Sequence, residues 1–134
     1  MKIEAMFARW APMLLSVLRI MSGLLFLAHG TAKYLNFPRG TPYAGTPMFS
    51  PSGIAGVFEL VGGFLLVIGL FTRPVAFVLS GVMAVAYFMV HGPRNFFPIL
   101  NAGELAIMFC FVFLYLAASG GGPLSADAMV RGKR

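Results

Sequence analysis

Four apolar stretches, residues 12–33, 53–71, 74–91 and 99–119, each reach the ~17 to 25 residues that a helix needs to cross a bilayer. A chain patterned in this way is predicted to be all-α, an antiparallel four-helix transmembrane bundle. Backbone polar groups in lipid have no water to bind, so each segment must pair its own. With 59% hydrophobic and 10% charged residues and a mean hydropathy of +0.87, too little polar surface remains to clothe a soluble globule. The spans and their connections use nearly all 134 residues, so a single domain over residues 1–134 is expected.

The net charge of +6 would suggest nucleic acid in a soluble protein, but the basic residues sit between the spans, where they orient a membrane protein. If the spans alternate, Lys2, Arg9, Arg73, Arg131, Lys133 and Arg134 fall on one side and Lys33, Arg39 and Arg94 on the other. Six against three places both termini in the cytoplasm of a bacterial-type inner membrane, with no role for nucleic acid. The first stretch reads as a retained span and not a cleaved leader, because it contains Arg19 and ends in His29 and Lys33 without a small-residue cleavage site. The single Cys110 excludes a disulfide within the chain and reads as a buried apolar-face cysteine.

Local signals bound the helices. Pro12 suits a first-turn position, Ser52 can cap the second span, and Pro74 follows a tight Thr72-Arg73 turn. The third span should stop at Gly92-Pro93, and the fourth at Gly120-Gly121-Gly122-Pro123. Residues 36–52, rich in proline and glycine, form either a solvated connector or a lid over the bundle mouth anchored by Tyr43, Met48 and Phe49.

Alternation of the spans puts His29, Lys33, Glu59, His91 and Glu104 in the non-cytoplasmic half. Residues three, four or seven apart share a helix face. That phase groups Arg19, Ser22, Gly23, Phe26, Gly30 and Lys33 in the first span and Glu59, Gly62, Gly63 and Leu66 in the second. Ser80, Ala84, Tyr87 and His91 line the third, and Asn101, Glu104, Met108, Phe111 and Tyr115 the fourth.

An unpaired arginine at mid-span costs roughly 2.5 to 3.5 kcal/mol on the insertion scale, so a carboxylate partner for Arg19 is expected. Measured from span centres, Arg19 lies about 5 Å below and Glu59 about 5 Å above, a gap a long side chain can close. Glu59 is therefore the first partner and Glu104 the second; a pair of this kind can also serve helix register alone. His29 beside either glutamate makes an acid-base group. Axial ligation of haem by His29 and His91 is weakened by their position at span ends. A zinc site from His29, His91, Glu59 and Glu104 has suitable ligand types but no spacing signature, so no metal is expected.

Over residues 19–127 the chain resembles the DoxX family of small four-helix membrane proteins. The resemblance is carried by Leu18-Arg19, the run from Gly23 to Gly30, Lys33, Phe58-Glu59-Leu60, Gly62-Gly63 and Gly69-Leu70-Phe71-Thr72-Arg73. It continues through His91, Phe96-Phe97-Pro98, Asn101, Gly103-Glu104-Leu105-Ala106 and Gly122-Pro123-Leu124-Ser125. It implies a membrane subunit of quinone-linked oxidation, or a partner in an oxidative-stress complex, with Arg19, His29, Lys33, Glu59, His91 and Glu104 as its polar set.

On that reading the cofactor is a quinone. Glu59, Glu104 and His29 are the catalytic candidates for proton delivery, and Arg19, Lys33, Tyr87, His91 and Asn101 bind the ligand. The chain has no redox cysteine pair and no recognisable cofactor motif, so an oxidoreductase would need a protein partner, or a second copy in a homo-oligomer. The competing expectations are a non-catalytic scaffold recruiting partners through its basic tail, and a small-solute carrier.

Overall fold

Ser50, Pro51 and Gly69 bracket the second long helix of the chain. In the computed structural model, which describes residues 1–132, α2 spans Pro51–Ile68 with proline in its first turn and Ser50 Oγ accepting from the Gly53 amide at 3.1 Å. It ends at Gly69, whose φ of 71° is the left-handed conformation that glycine adopts without a Cβ penalty. Preceding it is α1 (Lys2–Tyr34), and following it are α3 (Thr72–Ala86), a π-helical turn (Tyr87–His91), α4 (Pro98–Asn101), α5 (Glu104–Ser119) and α6 (Ala126–Arg131). No strand occurs among the described residues, so the all-α expectation holds.

Among the described residues three helices are long and apolar enough to cross a membrane: α1, α2, and α3 extended by its π turn; α5 is apolar but shorter, at 16 residues.

Several boundaries differ from expectation. Pro12 lies inside α1, which begins ten residues earlier, at Lys2. The cap of α2 is Ser50, two residues before Ser52, because Pro51 takes the first helical position. Thr72 and Arg73 open α3; the chain reverses at Gly69, Leu70 and Phe71 instead. The fourth apolar stretch is broken, since Ala102 adopts φ 60° between α4 and α5. Lys133 and Arg134, part of the charge count, lie outside the described residues.

Helix α1 packs along α2, and α3 along α5, while α2 meets α3 less extensively and α1 meets α5 less again. Small residues allow the first close approach. A Cβ on Gly30 would stand 2.8 Å from the Leu60 amide nitrogen, and one on Gly63 would stand 2.9 Å from the Leu27 Cα. The Gly63→Ala variant is therefore expected to lose about 1 to 3 kcal/mol through overpacking. Gly81→Ala, where a Cβ meets nothing within 4 Å, should gain up to ~1 kcal/mol from helix propensity. Thermal unfolding of both variants in detergent checks the opposite signs. The two helix pairs join through Phe26, Phe109 and Phe113, whose ring centroids lie 5.0 to 5.4 Å apart.

The opposite end of the bundle is tied by charged side chains on backbone groups. Arg73 donates to Ala118 O at 2.6 Å, satisfying a carbonyl at the C-terminus of α5. Asp127 of α6 accepts from the Phe71 and Thr72 amides at 2.8 and 2.9 Å, capping α3 from a distant part of the chain. Burial pushes the Asp127 pKa up, but those amides and nearby Arg131 outweigh it and hold the carboxyl below its ordinary range.

A carboxylate with a lowered folded pKa contributes stability that is complete above its unfolded value of about 3.9 and is lost as pH falls through the folded value. Docking of α6 is thus expected to loosen below about pH 4, and Asp127→Asn should loosen it already at neutral pH. Faster exchange of the Phe71 and Thr72 amides reports this.

Candidate functional site

Residue order along α1 and α2 runs in opposite directions: Gly23 lies against Val67, Leu27 against Gly63, and Gly30 against Leu60. This register carries the next turn of α1, with Lys33, to the level of Glu59. Lys33 Nζ lies 3.0 Å from Glu59 Oε1 and donates to Ser52 O at 2.9 Å, and both side chains are 7% exposed. The second carboxylate oxygen, Glu59 Oε2, is buried and has no hydrogen-bond partner among the described residues.

Beside this pair a cavity of about 850 Å³ lies between α1, α2, α3 and α5. Its polar lining includes His29, Lys33, Glu59, Tyr43, His91 and Arg94, and apolar side chains such as Phe26, Val82 and Phe109 supply much of the remainder. A largely apolar pocket with a few convergent polar groups is the usual form of a small-molecule site. His29 stands edge-on to Phe109, with ring centroids 6.4 Å apart, and faces Tyr43 at 5.9 Å. The 36–52 segment thus brings Tyr43 to the cavity, whereas Met48 and Phe49 remain exposed.

The π-helical turn carries His91 to the cavity. Its Nδ1 lies 3.0 Å from Asn101 O; a carbonyl only accepts, so Nδ1 carries the proton and Nε2 is left free. Asn101 is fully buried and acts on the chain itself. Its Nδ2 donates to the Tyr87 hydroxyl and to Asn95 O, both at 3.0 Å, and its Oδ1 accepts from the Gly103 amide at 2.8 Å. Asn101 and Tyr87 therefore shape the junction between the π turn and α5 from outside the cavity lining.

Of the sequence candidates, His29, Lys33, Glu59 and His91 converge on the cavity, and Arg19, Tyr87, Asn101 and Glu104 do not line it. The expected pairing of Arg19 with Glu59 or Glu104 is corrected. Arg19 Nε donates to Leu66 O at 2.8 Å, Nη2 donates to Leu124 O at 2.6 Å, and Nη1 donates to Gly121 O. Arg19 is thus solvated by carbonyls at the end of α2 and in the segment before α6, and Lys33 is the cation that neutralises Glu59.

Glu104 is exposed on the outer side of α5, as are Met108, Phe111 and Tyr115 of the expected polar stripe. The inward face is Ala106, Phe109, Phe113 and Leu116, because the break at Ala102 rotates α5 out of the phase counted from Asn101. Sequence reasoning assigned Arg94 to topology and passed over Gly81; both line the cavity. A glycine next to Ser80 of the expected inner stripe was the available signal for the second.

Among the described residues, no group of three or more His, Cys, Asp and Glu side chains is placed to hold a metal ion. The chain is 47% identical over 126 residues to an uncharacterized protein of Haemophilus influenzae, a match covering 89% of this chain and 92% of the relative. It is 28% identical over 122 residues to a Bacillus subtilis protein described as "Putative oxidoreductase CatD", covering 88% of each. No solved structure matches. The DoxX family model matches residues 14–92, which carry most of α1, all of α2 and α3 and the Lys33 to Glu59 pair, and the chain belongs to the DoxX family of membrane proteins.

Proposed function

We propose that the protein is a membrane subunit associated with redox chemistry that binds a quinone-like amphipathic molecule in the cavity beside Lys33 and Glu59. The unpartnered Glu59 Oε2 carries this reading. A buried acceptor left unmade costs roughly 1 to 3 kcal/mol, which a ligand head bonded to it would offset. The residues fit a quinone class of ligand: a polar end at Glu59 and His29, aromatic walls from Phe109 and Tyr43, and an apolar run for a tail. Such a group supplies two-electron, two-proton chemistry when bound.

In this reading Glu59 and His29 exchange protons with the head, and Lys33 and Arg94 offset negative charge that develops there. His91, with Nε2 free, is a second acceptor at the cavity. Glu104, Arg19, Tyr87 and Asn101 take no direct part. The description of the Bacillus relative as an oxidoreductase favours a redox class. Electrons would reach the head from a protein partner or a second copy of the chain.

The membrane arrangement belongs to the same proposal: a bacterial plasma-membrane protein crossing four times in antiparallel fashion, α4 and α5 together forming the fourth crossing, with both termini cytoplasmic. Arg73 shares one end of the bundle with the carbonyls at the end of α5, and Arg94 belongs to the cavity end. Lys2, Arg9 and Arg131 add to the first end and give the charge bias of a cytoplasmic face.

Mass spectrometry of small molecules extracted from protein purified in mild detergent tests the function. A stoichiometric quinone-like lipid is expected, reduced at least tenfold in Glu59→Gln. A correctly folded Glu59→Gln protein that keeps its ligand and its turnover in the complex would sink the reading.

A further inference from the structure

The cavity has a side that the helices leave open. Helices α2 and α3 touch where Gly62 meets Leu79, so closely that a Cβ on Gly62 would fall 2.6 Å from Leu79 Cδ2. Toward the other end of the bundle, Ile54 and Phe58 of α2, Val85 of α3 and Met89 of the π turn line the cavity while remaining 49%, 39%, 57% and 59% exposed. A side chain that lines a cavity and is also open to the outside marks a mouth. Among the described residues no hydrogen bond or ion pair joins α2 to α3 along this slot.

Gly81 lies at the cavity wall with open space in front of it, and the π turn alters the backbone where Met89 and His91 enter the lining. By contrast, Tyr43 covers the cavity beside His29. The helix surfaces flanking the slot are apolar and face the hydrocarbon in the proposed arrangement.

Resting on the proposed cavity function, we infer that the site is loaded sideways from the bilayer through the slot between α2 and α3, and that it selects a long-chain lipid with a phenolic hydroxyl. The slot is lined by side chains with nothing polar to solvate a charged solute, which suits an alkyl tail lying between Phe58 and Met89. At the inner end, Glu59 is committed through Oε1 to the Lys33 ammonium, so the free Oε2 belongs to a carboxylate and only accepts. It therefore calls for a donor: a phenol or the reduced form of a quinone satisfies it, and an ether or an oxidised quinone carbonyl does not. The rings of His29, Tyr43 and Phe109 around the same end favour a flat aromatic head over an aliphatic alcohol.

The test uses the full-length protein in phosphatidylcholine vesicles and three probes, each with a diazirine at the tail end: a decyl hydroquinone, a decyl phenol and the dimethyl ether of the hydroquinone. Saturable photolabelling is mapped by peptide mass spectrometry. The expected result is labelling at Ile54, Phe58, Val85 or Met89, with the ether at least tenfold weaker than the phenolic probes. Tighter binding of the hydroquinone than of the phenol assigns a reduced quinone as the source; equal binding assigns a simple phenolic lipid, and both support the inference.

Gly81→Trp, at a position where a Cβ meets nothing within 4 Å, should abolish labelling while thermal unfolding stays cooperative. Saturable labelling confined to residues 36–50 would overturn sideways loading and leave the cavity reading standing. Equal binding of the ether would overturn the role of Glu59 Oε2 as selector. No saturable binding of any probe would overturn both this inference and the function on which it rests.

Discussion

Replacing Arg19 by Ala is expected to cost about 4 kcal/mol and to leave little folded protein at 37 °C. Arg19 is 1% exposed and is a donor to Leu66 O and Leu124 O. Leu124 O deprived of its donor costs about 1 to 3 kcal/mol, Leu66 O keeps only the Gly69 amide at 3.2 Å, and the vacated volume adds a cavity term. Set against a typical total stability of about 5 to 15 kcal/mol, this loss is large. Arg19→Lys should rescue little, because an ammonium on a flexible stem cannot spread over acceptors that the planar guanidinium reaches on several sides. Ligand capture by whatever fraction still folds should be unchanged, since Arg19 does not line the cavity. Unfolding temperature and ligand stoichiometry, measured on the same detergent-solubilised samples, separate the two effects. Loss of ligand from a stably folded Arg19 variant would contradict the purely structural role.

The Lys33 and Glu59 pair predicts the opposite separation. Lys33→Met leaves a carboxylate 7% exposed with no cation, and removal of one partner from a buried pair costs about 3 to 5 kcal/mol. Lys33→Met combined with Glu59→Leu removes both charges at similar volume, a change that is often neutral or stabilising. The double variant should therefore unfold within about 1 kcal/mol of the natural protein and yet bind no ligand. A four-member thermodynamic cycle, with ligand content measured for each member, gives the coupling. A double variant as unstable as the sum of the singles would mean that each residue is held by other contacts; one that retained its ligand would remove the pair from the site.

The amino-acid pattern alone was enough for the helical class and for two inner faces. Every residue of the expected α1 stripe, from Arg19 to Lys33, is buried, and so is the α2 stripe from Glu59 to Leu66. Both segments are unbroken helices, so a period of 3.6 residues carries faithfully from one end to the other. Lys33 and Glu59 follow from those two faces, whereas His29 and His91 were placed at the same depth only by alternation of the spans, and all four line the cavity.

What only the tertiary structure decided was who faces whom. Depth counted from span centres matched Arg19 with Glu59, but α1 begins at Lys2, and the offset between α1 and α2 is set by which glycine admits which neighbour. That contact aligns Gly30 with Leu60 and gives Glu59 to Lys33, leaving Arg19 among carbonyls that fold back from residues more than 100 positions away. Between α4 and α5 a single left-handed residue, Ala102, breaks the fourth apolar stretch and turns Glu104 outward. Phase is a local property that a sequence carries in its spacing, whereas register between helices and the angle across a break arise from packing between distant segments, which spacing alone does not encode.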